Sequence, residues 1–162
     1  KIEGEGIYFN LKPVQLKVMF KPIIASATEM ARKKNVRFTA ETIDPSITIL
    51  ADKQHLPNAF QNIIDNAIHY TLPDGSVTLR VDRGIKNVVV SVIDTGIGIP
   101  KYQQDRIFKK FFRAHNAQKM DTSGSGLGLY ITRTIIVAHG GSISLESEEG
   151  KGTMFTVLIP VA

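Results

Sequence analysis

The stretch Asn62-Ile63-Ile64-Asp65-Asn66-Ala67-Ile68-His69-Tyr70-Thr71 constrains this chain more than any other. Read at 3.6 residues per turn, Leu56, Phe60, Ile63, Ile64 and Ala67 align as one apolar stripe, the signature of a helix pressed onto a core. Asn62, Asn66 and His69 fall at i, i+4 and i+7 on another side. Two carboxamides one turn apart can offer two oxygens to a hydrated cation; the plainer reading is a solvated polar face. Asp52 is placed to cap this helix, roughly 53–70, and Pro57 falls in its first turns, where a missing N–H is tolerated.

The flanking segments complete a pattern of mixed α and β. Residues 1–13 carry two early glycines and no clear period, which predicts a linker, with the folded domain running over 11–162. Residues 14–34 read as a helix, with Pro22 expected to kink it or mark a restart. Strands are predicted over 36–40, 47–50, 77–82 and 88–93. The last of these is apolar nearly throughout, which suggests a central strand covered on both faces. Residues 94–126 are rich in glycine, lysine and polar residues, predicting a long mobile loop, with a short aromatic helix at 102–113. A helix over 127–139 and a hairpin built from 142–145 and 153–159 close the chain. This order predicts an α/β two-layer sandwich, a mixed, mainly antiparallel sheet with its helices on one face.

Composition narrows the function classes. At 162 residues the chain can bury a real core, and with no cysteine it has neither disulfides nor thiolate metal sites. No apolar run approaches the length of a membrane span, and no signal-peptide pattern opens the sequence. The net charge of +5 first suggests nucleic acid. Yet Lys101, Arg106, Lys109, Lys110, Arg113 and Lys119 gather near one glycine-rich region against the single acid Asp105, which suits a polyphosphate at least as well as a duplex.

Two glycine-rich segments carry the chemistry. Asp94-Thr95-Gly96-Ile97-Gly98-Ile99-Pro100 follows the apolar strand, and its glycines make a tight turn that would let a flat ring approach the backbone. Ionised Asp94 can only accept hydrogen bonds, which suits an exocyclic amino group such as that of adenine; a plain β-turn is the other reading. A dinucleotide-binding fold is disfavoured, because its third glycine is replaced by Lys101 and Pro100 fits poorly where the helix should start. Gly124-Ser125-Gly126-Leu127-Gly128-Leu129 opens the late helix, where free amides and the positive helix end favour phosphate; a flexible hinge is the alternative. Arg106-Ile107-Phe108-Lys109-Lys110-Phe111-Phe112-Arg113 is an amphipathic aromatic patch, either core or a docking surface.

Taken in order, Asn62-x3-Asn66-x2-His69-Tyr70-Thr71, Asp94-x-Gly96-x-Gly98, the patch Phe108–Arg113 and Gly124-x-Gly126-x-Gly128 resemble the N, G1, F and G2 boxes of the catalytic ATP-binding domain of bacterial sensor histidine kinases, in the superfamily shared with DNA gyrase. The resemblance implies a Bergerat fold with ATP under a mobile lid, about 99–125. It implies Asn62 as the Mg²⁺ ligand and Asn66 as support for metal or phosphates, the two forming the catalytic pair. By the same match His69 and Tyr70 line the nucleotide, Asp94 reads the adenine amino group, and Gly96, Gly98 and Ile99 shape its pocket. Gly124, Ser125, Gly126, Leu127, Gly128 and Leu129 would form the phosphate-binding end of the lid, and Thr153 would help close the adenine pocket. Phe108, Phe111, Phe112 and Arg113 would dock a partner domain.

His69 stands where the family usually has Lys or Arg. A histidine loses its charge within the physiological range, so phosphate affinity is expected to weaken as pH rises. None of His55, His69, His115 and His139 lies in an H-box sequence, so the phosphoacceptor is expected on an upstream dimerisation domain. ATPases of the superfamily carry a Glu as general base one turn before the metal-binding Asn. Here that position holds Asn62, which cannot take a proton from water. The resemblance therefore implies slow hydrolysis and transfer of the γ-phosphoryl to a histidine, with a response regulator downstream and no nucleic acid partner. The parent would be a homodimer anchored in a membrane with this domain in the cytoplasm, and the fragment alone a monomer. A serine kinase of the anti-sigma-factor type, sharing the fold, is the alternative.

Overall fold

The computed structural model describes residues 2–4, 7–114, 116–117 and 128–162. Short strands β1 (Ile2–Gly4) and β2 (Ile7–Phe9) pair antiparallel, and β3 (Leu11–Gln15) leads straight into helix α1 (Leu16–Lys34). Then follow β4 (Arg37–Ala40), β5 (Thr48–Asp52), α2 (His55–His69), β6 (Ser76–Arg83) and β7 (Asn87–Asp94). A 3₁₀ helix (Lys101–Arg106), α3 (Gly128–Ala138) and the hairpin β8 (Ser142–Glu148) and β9 (Gly152–Pro160) complete the described elements.

The main sheet runs β4-β6-β7-β9-β8, with β4 parallel to β6 and every other pair antiparallel. One face of it is apolar. Val77, Leu79 and Val81 of β6, Val88, Val90 and Val92 of β7, and Phe155, Val157 and Ile159 of β9 are all buried. They point toward the three helices, which carry the complementary stripe: Leu16, Phe20, Ile23 and Ala27 from α1, and Leu56, Phe60, Ile63, Ile64 and Ala67 from α2. The rings of Phe20 and Phe60 pack at 4.9 Å between centroids and lock the first two helices together. This is the expected two-layer α/β sandwich.

Four expectations need correction. First, residues before 14 are not all linker. β3 forms a five-pair antiparallel ladder with β5, from Leu11 opposite Asp52 to Gln15 opposite Thr48, and Phe9 is fully buried. Its ring lies edge-on to His55 and His139, so the core reaches back to Phe9. Second, Pro22 marks no restart, since α1 is one helix from Leu16 to Lys34. Third, β7 is central in the sheet but not covered on both faces: Val89 and Ile93 on its outer side stay half-buried. Its apolar run reflects strands on either side rather than a second layer of helices. Fourth, the stretch 102–113 is no regular helix. The 3₁₀ helix stops at Arg106, turns follow, and Phe111 has φ +65°, which a right-handed helix cannot hold.

The described start of the predicted lid is built rather than loose. Ile99, Ile107 and Ala114 form a second small core, with Phe108, Phe112, Ala117, Leu129 and Leu145 packed around it.

Candidate functional site

Asp52 holds the start of α2 as expected of a cap. Its Oδ1 accepts the N–H of Gln54 at 2.9 Å and of His55 at 2.8 Å. At the other end, the Lys34 ammonium donates to the carbonyls of Ile68 and His69, two of the acceptors a helix leaves unpaired. The helix is thus gripped at both ends, which aims its polar face at one place.

That place is a pair of adjoining cavities. The first, about 220 Å³, lies between the end of β7, the start of β9, α2 and the small second core. Asp94, Ile97, Gly98, Ile99 and Thr153 form one wall, and Ile107, Phe112, Arg113 and Ala114 another. The second, about 330 Å³, is more open and is bordered by Asn62, Asp65, Asn66, His69 and Met30. Asn66, Tyr70, Gly128 and Leu129 border both. The first combines apolar side chains with Asp94, Arg113 and Thr153; the second is bordered by carboxamides, the Asp65 carboxylate and an imidazole.

Asp94 is half-buried, and desolvation pushes its carboxyl up to about 6, against the pull of two backbone donors. Both converge on Oδ1: Gly96 N–H at 2.8 Å and Thr153 N–H at 3.2 Å. Among the described residues nothing else donates to this carboxylate, which leaves Oδ2 able to accept from a ligand.

Gly96 lies beside this carboxylate, and close backbone contacts require a glycine both there and at Gly98. A Cβ on Gly96 would come within 2.5 Å of the Tyr70 carbonyl oxygen. One on Gly98, whose φ is +69°, would meet the Glu148 carbonyl oxygen at 2.1 Å. The glycines let the loop press against the end of α2 and the β8–β9 turn. Backbone bonds seal both contacts, Ile97 N–H to Tyr70 O at 3.0 Å and Gly150 N–H to Ile97 O at 2.7 Å.

In the second cavity Asn62 leans toward α3, its Nδ2 donating to the buried hydroxyl of Thr132 at 3.5 Å. That uses a donor and leaves the carboxamide oxygen. Asp65 Oδ1 is taken by Gln61 Nε2 at 2.6 Å. Among the described residues no three His, Asp or Glu side chains cluster as a metal cage. Two carboxamide oxygens fit a magnesium ion that keeps a shell of water and phosphate oxygens.

Gly128 and Leu129, at the start of α3, reach both cavities, while Gly124, Ser125, Gly126 and Leu127 lie outside the described residues, as do His115 and Lys119. The aromatic patch divides. Phe111 is two-thirds exposed, whereas Phe108 packs edge-on to Phe155 at 6.2 Å and Phe112 and Arg113 face the first cavity. The basic cluster divides too, with Lys109 beside Arg133 on a separate groove and Lys110 over the Tyr130 ring at 5.4 Å.

Sequence reasoning missed Ser147 and Gln104. Ser147 Oγ accepts the Ile99 N–H at 2.8 Å, and Gln104 Nε2 donates to the carbonyls of Ile99 and Ser147, both at 2.9 Å. A signal was present: Ile143, Leu145 and Ser147 share the inward parity of β8, so the serine sits where an apolar residue is due.

A half-buried acceptor at a strand end, carboxamides one helical turn apart and a helix that starts at Gly128 between them fit a nucleotide-binding ATPase-type domain. The chain belongs to the family described as histidine kinase-, DNA gyrase B- and HSP90-like ATPase, whose model matches residues 51–162. Sensor histidine kinase WalK of Bacillus subtilis is 34% identical over 162 residues, covering 99% of this chain but 26% of that protein. The nucleotide-free catalytic domain of histidine kinase ThkA superposes with a TM-score of 0.81 at 30% identity, covering 94% of this chain and 98% of that one. Full-length ShkA in complex with AMPPNP also gives 0.81 at 30% identity, over 96% of this chain and 32% of that one. The chain is an ATP-binding catalytic domain of the sensor histidine kinase kind, and it spans about a quarter of the length of WalK.

Proposed function

We propose that this domain binds Mg·ATP across its two cavities and passes the γ-phosphoryl to a histidine on a dimerisation domain of the same full-length protein. The supporting observation is Asn66, which borders both cavities and so would touch a ligand that places a flat base in one and phosphates in the other. Adenine would lie against Asp94 and Thr153, shaped by Gly96, Gly98 and Ile99. Asn62 and Asn66 would hold the magnesium, which draws charge from the phosphate oxygens. His69, Tyr70 and the segment Gly124 to Leu129 would surround the phosphates.

Asn62 is a carboxamide and cannot take a proton from water, and Asp65 on the same cavity is held by Gln61, so positioning and charge neutralisation would carry the transfer. Phe111 is the exposed ring of the aromatic patch and the residue best placed to meet a partner domain. A response regulator would take the phosphoryl group next, from a homodimeric, membrane-anchored parent. No helix among the described residues is long and apolar enough to cross a membrane, so an anchor would lie in other parts of that protein.

Labelled ATP given to the domain alone, then with its dimerisation domain added separately, tests this. Slow phosphate release alone and label on the histidine of the mixture are expected. Fast release from the domain alone, or no label on the histidine, overturns the reading.

A further inference from the structure

Asp94, Thr153 and Ser147 form one row across the sheet: Asp94 is the register partner of Thr153, and Thr153 of Ser147. Each occupies the inward parity of its strand, continuing Val92, Phe155 and Leu145. At this end of the sheet the buried face turns from apolar to polar.

Ser147 has one proton and three partners. The Ile99 N–H, at 2.8 Å, can only donate to it, and the Gly152 carbonyl, at 3.0 Å, can only accept. The third partner is the hydroxyl of Thr153, at 2.8 Å. All three bonds form together in one arrangement: Ser147 donates to Gly152 O and Thr153 donates to Ser147. Thr153 has then spent its proton and keeps only lone pairs for the cavity it lines beside Asp94.

We propose that Ser147 is a specificity-determining positioning residue, which orients the Thr153 hydroxyl so that Thr153 and Asp94 both present acceptors to the base in the first cavity. The inference rests on the reading above, that the base lies against Asp94. A carboxylate accepts equally well from the amino group of a 6-aminopurine and from the N1–H of a 6-oxopurine. Asp94 by itself therefore discriminates weakly. The second acceptor rejects the 6-oxo group, whose oxygen would face a lone pair on Thr153, and a buried acceptor pair of this kind is costly. Ser147 thus acts on a ligand it does not touch.

The test compares the affinities of this chain for ATP and ITP, both with Mg²⁺, in the wild type, Ser147→Ala and Ser147→Thr. ITP differs only in carrying a 6-oxo group and an N1–H. Ser147→Ala frees the Thr153 hydroxyl to donate, and the preference for ATP over ITP is expected to fall roughly tenfold, the worth of one hydrogen bond. Ser147→Thr restores the hydroxyl and with it the wild-type ratio. Parallel loss of both nucleotides in Ser147→Ala would mean a structural brace and overturns the proposal, as does an unchanged ratio. If Ser147→Ala does not fold, Thr153→Val, which removes the lone pairs, must lower the ratio, and an unchanged ratio overturns the proposal. A wild type that binds neither nucleotide defeats the underlying functional reading instead.

Discussion

The backbone N–H of Asp52 donates to Nε2 of His139 across 3.0 Å, joining residues 87 apart in the chain. Nδ1 of the same ring donates to the Ile135 carbonyl at 2.7 Å, so both nitrogens are used and the ring is neutral. The bond ties the end of α3 to the strand that leads into α2, and the Phe9 ring closes over it. Helices that border the two cavities are thereby fastened at a point away from them.

This bond makes the fold acid-sensitive. Burial holds the His139 imidazole below its ordinary value, with the Ile135 bond pulling the other way. A group depressed in the folded state contributes fully above its unfolded value, near 6.5, and loses that contribution as pH falls through its lowered folded value. Asp52, lowered to about 2 from 3.8 by its backbone donors against the cost of burial, acts in the same direction but at much lower pH. Thermal unfolding is expected to drop in midpoint below pH 6.5. His139→Phe should keep the ring packing, strand the Asp52 N–H at a cost of about 1–3 kcal/mol, and remove that part of the pH dependence.

Asp94 runs the other way. Its folded value is raised to about 6, so its contribution to stability is present below the unfolded value of 3.8 and lost as pH rises through about 6. At neutral pH this half-buried carboxyl is mostly ionised. Asp94→Asn is expected to leave the thermal midpoint at pH 7.5 unchanged or higher while weakening ATP roughly tenfold or more. In the wild type, calorimetry should show ATP affinity falling below about pH 6 with proton release on binding, as the adenine amino group selects the ionised carboxylate.

Two glycines separate backbone conformation from close packing. Gly98 and Gly150 both have positive φ, +69° and +84°, but a Cβ on Gly98 strikes the Glu148 backbone whereas one on Gly150 meets nothing within 4 Å. Gly150→Ala should cost about 1–2 kcal/mol, the strain of a left-handed residue. Gly98→Ala should cost about 3 kcal/mol or more and also impair nucleotide binding, since Ile97 and Ile99 line the first cavity. Urea unfolding of both variants measures the difference.

His69 borders the second cavity and its ring packs edge-on to Tyr70 at 4.8 Å. His69→Lys supplies a charge that persists to high pH. The expected result is ATP binding about fivefold tighter from pH 8 to 9, the scale of one partly exposed ion pair. Equal affinities for both proteins over that range would place His69 outside phosphate recognition.

Much of this architecture is written locally. The stripe from Leu56 to Ala67 specifies a helix with one buried face, and Val77, Leu79 and Val81 specify a strand, because side-chain period follows backbone geometry. Asn62 and Asn66, one turn apart, end up on one cavity for the same reason. So do Asp94 and the Gly98 turn, where polar and glycine residues interrupt a strand.

What the chain order does not contain is register and partner choice. β3 is recognisable as a strand only once β5 lies beside it, and Phe9 as core only under the rings of His55 and His139. The division of the aromatic patch, with Phe111 outward and Phe112 inward, depends on one left-handed residue in an irregular turn. The row Asp94, Thr153 and Ser147 exists because two antiparallel ladders bring distant polar positions level. Local sequence determines which way each side chain points along its own strand; only tertiary pairing decides which side chains share a row, because a shift of one residue would turn every one of them to the other face.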